Sequence, residues 1–146
     1  MILVDANILL YAYQPRSEKH ERCRAWVAEA FSGSEPVCLS WFTLLAFIRI
    51  STSPRIFEQP LRPAEAVTVV SAWLQRPSVS VLEAGERCWE IFRQLLVEGQ
   101  VSGPLVMDAF LAALAIENGA TLATTDRDFA RFPKLKLLDP ATASRA

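Results

Sequence analysis

The chain has 146 residues, 51% hydrophobic and 21% charged, a balance typical of a globular protein rather than a disordered one. Its 15 basic and 16 acidic residues give a formal net charge of −1, so overall charge does not indicate a nucleic-acid-binding protein. No apolar run reaches the ~18 residues of a membrane span, and the N-terminus lacks the basic segment of a secretory signal. We therefore expect a cytoplasmic protein with no membrane association.

Short apolar strands alternate with helices in the first half of the chain. The run Ile2–Val4 predicts a buried strand that leads straight into a polar turn. From about Glu18 a helix is predicted, because apolar residues recur three and four positions apart. Residues 37–39 predict a second strand. Residues 40–50 predict a helix that is apolar nearly all round and therefore deeply packed, with Ser40 as its N-cap.

The same alternation continues in the second half. Pro63 is a suitable first residue for a helix that follows a loop of turn-forming residues. Residues 79–82 predict a third strand, and residues 86–99 a helix that stops at Gly99. The last predicted elements are a helix at 105–119, a strand at 120–126, a helical turn at 127–132 and a strand at 134–138.

This order of elements predicts an α/β fold. Short strands between helices are typical of a parallel sheet with helices on both faces. The sequence shows no internal repeat, low-complexity tract or linker, so we expect residues 1–146 to form a single domain.

Cysteine and histidine do not indicate a catalytic pair or a zinc site. Cys23, Cys38 and Cys88 are far apart and lack CxxC spacing, so we expect them to be reduced, buried side chains. His20 is the sole histidine and lies in a polar segment, where we expect it to be solvated on a helix. A zinc site needs four close ligands, which this sequence does not supply.

The chain's aspartates fall mostly where strands end or helices begin. Asp5 ends the first strand, Asp126 ends the fourth with Asp128 two residues on, and Asp108 opens a helix, whereas Asp139 has an ordinary turn explanation. The binding crevice of a parallel α/β sheet lies outside the carboxyl ends of its strands. We therefore expect the first four aspartates to meet there, with Asp5 delivered to the crevice rather than buried.

Two interpretations of these aspartates are possible. Singly, Asp5 or Asp126 can cap the following helix, and Asp108 suits the positive end of a helix dipole. Together, clustered carboxylates repel one another unless a cation neutralises them, and an oxygen-only ligand set is typical of magnesium or manganese. Such a site can activate water for attack on a phosphodiester. The residues alone thus indicate metal-dependent phosphoryl hydrolysis, without specifying RNA.

The chain resembles the PIN-domain nucleases, specifically the VapC-type toxins of toxin–antitoxin systems. The resemblance rests on three segments in order: ILVDANILLYA, LSWFTLLAFIRISTSPRIFEQPL and MDAFLAALAIENGATLATTDRDFARFP. It implies a three-layer α/β/α sandwich with a central parallel sheet. It also implies the toxin of a type II system, an endoribonuclease that uses Mg²⁺, with Mn²⁺ as a substitute, to cleave tRNA, rRNA or mRNA.

The resemblance also implies a set of site residues. Asp5, Asp108 and Asp126 correspond to catalytic aspartates that hold the metal, and Asp128 corresponds to a further acidic position of variable role.

Three polar residues correspond to supporting positions. Asn7 and Thr125 lie beside the ligands in the family's pattern and are expected to orient them. Arg49 corresponds to a basic residue that contacts RNA phosphate or pairs with a carboxylate.

One position departs from the family's pattern. The family usually has a glutamate three residues before the arginine, and this chain has Ala46 there. Glu35 and Glu58, the nearest glutamates, flank the helix rather than line it. The change is compatible with a one-metal site, with a ligand supplied by Asp128, or with a weakened enzyme.

The resemblance implies an RNA substrate and a VapB-type antitoxin that lays a peptide into the acidic cleft and offers a basic side chain. It also implies a homodimer, or a larger toxin–antitoxin complex. The apolar helix at 64–76 is a candidate contact between subunits, and ordinary core packing explains it equally well.

Two other function classes remain open at this point. Ala46 favours a catalytically degenerate PIN domain that only binds RNA or protein. An aspartate that ends the first strand also suits a phosphoaspartyl enzyme or a receiver-like switch. Against the switch, Asn7 stands where dehalogenase-type enzymes need a second aspartate, and Lys134 and Lys136 lie in a segment typical of a surface turn.

Overall fold

A computed structural model describes residues 1–142 of the chain. It contains five strands of three residues each: β1 (Ile2–Val4), β2 (Val37–Leu39), β3 (Val79–Val81), β4 (Thr121–Ala123) and β5 (Lys136–Leu138). They form one sheet in the order β3-β2-β1-β4-β5, and every neighbouring pair is parallel. The predicted parallel sheet is confirmed. Residues 143–146 of the predicted single domain lie outside the described part of the chain.

Six α-helices and one 3₁₀ helix connect the strands within residues 1–142. They are α1 (Ala6–Tyr13), α2 (His20–Ser32), α3 (Trp41–Ser51), α4 (Pro63–Leu74), α5 (Cys88–Glu98), α6 (Leu105–Glu117) and the 3₁₀ helix Arg127–Arg131. None of these helices is long and apolar enough to cross a membrane.

The sheet separates two apolar cores. Successive residues of a strand point to opposite faces, and accordingly Leu3 packs in one core and its neighbour Val4 in the other. The Val4 core is covered by α1 to α4 and includes the buried rings of Phe47 and Trp73. The Leu3 core is covered by α5, α6 and the 3₁₀ helix, with Phe129 at its centre. This arrangement confirms the three-layer α/β/α sandwich.

Local capping signals in the sequence mark several helix ends correctly. Ser40 caps α3, since its hydroxyl accepts a hydrogen bond from the Thr43 amide at 3.3 Å. Pro63 is the first residue of α4, where its missing N–H costs no helical hydrogen bond. Gly99 ends α5, as predicted.

The prediction of a polar turn directly after β1 is wrong. Helix α1 begins at Ala6 instead, because the Asp5 carboxylate caps it and accepts a hydrogen bond from the Ala6 amide at 2.7 Å. The helix is only eight residues long and almost entirely apolar, so its sequence lacks the amphipathic period that identifies a longer helix.

Two expectations about burial are also corrected. Helix α3 is packed on one side only: Leu44 and Phe47 are buried, whereas Trp41 is 52% and Leu45 63% exposed, because α3 contacts α1 and α4 and nothing covers its outer face within residues 1–142. His20 is partly buried rather than solvated, with Nδ1 at 2.8 Å from the Tyr11 carbonyl oxygen, because α2 packs against α1. The three cysteines are buried and free, as expected.

Candidate active site

The candidate site lies at the carboxyl edge of the central strands. Asp5 directly follows β1, and Thr124 directly follows the neighbouring strand β4. Because β1 and β4 are parallel, their carboxyl ends meet at one edge of the sheet. A backbone hydrogen bond from the Asp5 amide to the Ala123 carbonyl, at 2.9 Å, joins these two strand ends.

Asp108 reaches the same edge from helix α6. The helix begins at Leu105, so Asp108 is its fourth residue rather than its first. At its other end α6 stops at Asn118, and Gly119, with φ of +64°, makes the left-handed turn that leads into β4. The helix therefore runs back along the sheet, with its first turn towards the carboxyl ends of the strands.

Asp5 is held by two hydrogen bonds, one to each carboxylate oxygen. Oδ1 accepts from the Ala6 amide at 2.7 Å, and Oδ2 accepts from the Thr124 hydroxyl at 2.8 Å. The side chain lies at the crevice, as expected, but it is partly buried, contrary to the expectation that it is not buried. Burial raises the pKa of Asp5 despite the two hydrogen bonds, which lower it, and the nearby charge of Asp126 raises it further.

Thr124 is the hydrogen-bonding centre of the site. Its side chain is only 4% exposed, and its hydroxyl also accepts from the Asn7 amide Nδ2 at 3.2 Å and from the Asp126 backbone amide at 3.0 Å. One threonine thus ties together Asp5, Asn7 and the segment that carries Asp126.

Sequence reasoning selected the neighbouring Thr125 for an orienting role and missed Thr124. Thr125 meets the site through its backbone amide, which donates to Asn7 Oδ1 at 3.5 Å. A strand-end signal in the sequence was available. Leu122 and Ala123 complete the buried strand, so the first polar residue after them, Thr124, lies at the edge of the sheet.

Asp126 and Asp128 lie at the start of the 3₁₀ helix. Asp126 is three residues beyond the end of β4, and its Oδ1 accepts from the Asp128 backbone amide at 2.9 Å. Asp126 is therefore the N-cap of the 3₁₀ helix, which agrees with the helix-capping interpretation of this residue. Asp128 is exposed.

Electrostatic repulsion connects the four aspartates. The pKa of Asp108 is raised to about 6, first by burial and then by the charges of Asp126, Asp5 and Asp128, while Arg131 lowers it. Each of the three neighbouring carboxylates therefore lies near enough to penalise ionisation of Asp108. An additional positive charge at this edge would relieve the repulsion.

The donor chemistry of the site fits a magnesium or manganese ion. All the candidate ligands are carboxylate oxygens, which these hard cations prefer. Within residues 1–142, however, no three His, Cys, Asp or Glu side chains are gathered as ligands of one ion. Magnesium commonly binds through one or two carboxylates together with waters and substrate phosphates, so a closed protein cage is not a requirement.

Helix α3, which carries the position of the family's usual glutamate, adds no carboxylate to the site. Ala46 on α3 has only a methyl side chain, and the nearest glutamates are engaged elsewhere. Glu35 pairs with the Met1 amino group at 3.2 Å, and Glu58 pairs with Arg16 at 2.9 Å. Arg49 lies exposed in the last turn of α3 and forms no ion pair within residues 1–142, so its contact with RNA or a carboxylate stays a prediction.

Comparison with known proteins places these residues in a family context. Residues 2–135 match the PIN domain family. The chain is 39% identical over 140 residues to Ribonuclease VapC37 of Mycobacterium tuberculosis, which covers 96% of this chain and 97% of that protein. It is also 39% identical over 140 residues to Ribonuclease VapC33 of the same species, covering 96% of this chain and 98% of that protein.

Solved structures with the same fold include toxin–antitoxin proteins. VapBC-1 from nontypeable Haemophilus influenzae superposes with a TM-score of 0.68 at 20% identity, covering 97% of this chain and 100% of that one. VapC20 of Mycobacterium tuberculosis, described as a toxin that cleaves the sarcin–ricin loop, superposes with a TM-score of 0.67 at 20% identity, covering 89% of this chain and 93% of that one. At these identities the likeness shows the fold.

Proposed function

The chain belongs to the PIN-domain family, and from this premise we propose that it is the ribonuclease toxin of a type II toxin–antitoxin system, dependent on Mg²⁺ or Mn²⁺. The observation that carries the proposal is the group of aspartates at the carboxyl edge, where the Ala6 amide and the Thr124 hydroxyl hold both oxygens of Asp5. Burial first, and then the charges of the other three aspartates, raise the pKa of Asp108 there to about 6. The 39% identity to VapC ribonucleases over nearly the whole chain supports the same activity.

Asp5, Asp108 and Asp126 are the residues proposed to hold the cation, with Asp128 as an additional acidic ligand. When bound, a divalent cation supplies a water of lowered pKa and positive charge against the phosphodiester. The protein's own contribution is orientation. Thr124 and the Ala6 amide fix both oxygens of Asp5, and Asn7 in turn fixes the Thr124 hydroxyl.

The proposed partners are an RNA substrate and a VapB-type antitoxin. Solved neighbours of the same fold are described as VapBC complexes, which supports an antitoxin of that kind for this chain. A basic antitoxin side chain placed among the aspartates would relieve the repulsion that otherwise requires a cation. A homodimer, alone or within a larger toxin–antitoxin complex, is proposed with it. Val67 of α4 is 57% exposed and is available for such a contact.

A catalytically degenerate PIN domain is the second candidate. Ala46 in place of the usual glutamate favours it, as does the absence of a three-ligand set among the described side chains. In that case the chain would bind RNA or protein without cleaving it, and the substitution Asp5→Asn would change no RNA cleavage.

RNA cleavage by matched variants separates the two candidates. Purified wild type, Asp5→Asn and Asp139→Asn are incubated with total RNA, with and without Mn²⁺. Asp139 is the control because, within residues 1–142, its carboxylate accepts just a turn hydrogen bond, from the Ala141 amide at 2.9 Å. We expect metal-dependent cleavage by wild type and Asp139→Asn and a loss of at least ~100-fold in Asp5→Asn, since ligand loss exceeds the effect of losing an orienting residue. Equal cleavage by all three proteins would overturn the proposal.

A further inference from the structure

A basic groove borders helix α5. It has a volume of about 640 Å³ and lies between helix α5 and the segment from Arg131 to Lys134. Its cationic side chains are Arg87, Arg131 and Lys134, all exposed. None of the three forms an ion pair within residues 1–142.

The acidic residues of the groove only partly offset this charge. Glu90 and Glu98 also line the groove. Glu90 is already neutralised by Arg93, whose Nη2 lies 2.6 Å from Oε1. Glu98 is the remaining carboxylate of the lining, and Glu117 lies next to Arg87, whose backbone amide donates to it at 3.0 Å. The three cations therefore leave a net positive surface in a protein whose overall charge is −1.

The groove approaches the aspartate site at its Arg131 end. This helix begins at its N-cap Asp126 and ends at Arg131, and Arg131 Nε donates to the Asp128 carbonyl oxygen at 3.2 Å. The charge of Arg131 is also felt at Asp108, whose pKa it lowers against the raising effect of the carboxylates. Arg131 thus lies beside the segment that carries Asp126 and Asp128.

We propose that this groove binds the phosphodiester backbone of the RNA strand on one side of the scissile bond, through Arg87, Arg131 and Lys134. The inference rests on the proposed ribonuclease function and identifies a substrate-binding surface for it. Guanidinium and ammonium groups bind successive phosphates without reading bases, so the contribution is independent of sequence and sensitive to salt.

An acidic protein segment is the competing occupant, because carboxylates suit the same cations. The position of Arg131, next to Asp128, favours RNA. A strand whose scissile phosphate lies at Asp5 and Asp108 must continue past that point, and the groove offers it three cations along one exit.

RNA binding by paired charge variants tests the inference. All proteins carry Asp5→Asn so that the probe stays intact, and binding of a 12-nucleotide fluorescein-labelled single-stranded RNA is followed by anisotropy in Mg²⁺ at several salt concentrations. The groove variant is Arg87→Gln/Lys134→Gln. The control variant is Arg55→Gln/Arg76→Gln, which removes the same charge from exposed arginines outside the groove.

We expect the groove variant to bind the RNA roughly 10-fold more weakly than the parent. Its slope of log Kd against log salt should fall by about 1.4, at ~0.7 per lost phosphate contact on a single strand. The control should change Kd less than ~2-fold. Thermal melts of all variants check that the exposed substitutions leave the fold intact.

Three results would overturn the inference: equal Kd and salt slope in the groove and control variants, no RNA binding by the parent, or displacement of the RNA by a hexaglutamate peptide at lower concentration than by unlabelled RNA. The last result would assign the groove to an acidic protein segment. If the wild-type chain fails to cleave RNA while the groove variant still loses binding, the nuclease proposal fails and the RNA-binding groove stands.

Discussion

The carboxylates of the helix surfaces and those of the sheet edge have opposite electrostatic surroundings. On the surfaces, Glu21 and Glu90 each lie within 3.0 Å of an arginine three residues further along their helix, and hydrogen bonds from these arginines lower the pKa of both glutamates. At the sheet edge, the pKa values of Asp5 and Asp108 are raised by burial and by other carboxylates.

This difference shows where the protein supplies its own counter-charge and where it does not. The helices repeat acid and base at a spacing of three residues, which satisfies each charge locally. The sheet edge collects acids from the end of β1, α6 and the segment after β4, and among the described residues Arg131 is the cation whose charge lowers the pKa of Asp108. A group of acids that the fold gathers without neutralising them is the arrangement expected of a cation-binding site.

Asp108→Asn is expected to have the largest effect of the variants that test this difference between the two kinds of carboxylate. Removing this carboxylate should reduce Mn²⁺-dependent RNA cleavage at least ~100-fold, because the substitution removes a proposed ligand. Initial rates on total RNA, with Asp139→Asn as the matched control, measure the effect. Unchanged rates in Asp108→Asn would show that the sheet-edge acids have no part in cleavage.

Thr124→Val should have the next largest effect. The substitution keeps the shape of the side chain but removes the hydroxyl that donates to Asp5 and accepts from Asn7 and Asp126. We expect a loss of ~10- to 100-fold in cleavage, together with a higher Mn²⁺ concentration for half-maximal rate. Thr124→Ser, which restores the hydroxyl, should recover most of the activity. Thr125→Val is the adjacent control and should lose less than Thr124→Val.

The stability of the metal-free protein should depend on pH in an unusual direction. The folded-state pKa of Asp108 is about 6, above its ordinary value of 3.8, so the folded state binds more protons between these values. Its contribution to stability is present below about pH 4 and is lost as the pH rises through 6, and the raised pKa of Asp5 acts in the same direction.

Melting of wild type and Asp108→Asn in EDTA, between pH 4.5 and 7.5, measures this dependence. Asp108→Asn should be more stable than wild type at pH 7.5, by on the order of 1 kcal/mol after screening of a partly exposed group. The gap should close towards pH 4.5. A wild type that is the more stable at pH 7.5 would contradict the repulsion described here.

Glu21→Gln should have the smallest effect. Glu21 is exposed, and its pair with Arg24 is screened by water, so the melting temperature and the cleavage rate should stay at wild-type values. A clear loss of activity here would remove the distinction between the two kinds of carboxylate.

Much of the fold could be predicted from local sequence signals. Short apolar runs identified all five strands of the described chain, and Ser40, Pro63 and Gly99 identified helix ends, because caps and breakers act within one turn. Helix α1 was missed because eight mostly apolar residues carry too little periodicity to distinguish a helix from a turn.

The site was only partly predictable for a different reason. The aspartates could be placed at one edge because parallel strands share their carboxyl ends. The role of Thr124 depends on contacts with Asp5 and Asn7, which are 119 and 117 residues away in sequence. Thr124 could be recognised as the first polar residue after β4, but its partners depend on the relative register of β1 and β4, which the adjacent residues do not encode.

Titration of Mn²⁺ into the purified protein tests the central claim most directly. Calorimetry on wild type, Asp108→Asn and Asp139→Asn reports whether the sheet-edge acids bind a cation. We predict that wild type and Asp139→Asn bind Mn²⁺ with similar affinity and that Asp108→Asn binds it at least ~10-fold more weakly. Equal affinities in all three proteins, or no binding by wild type, would contradict the account.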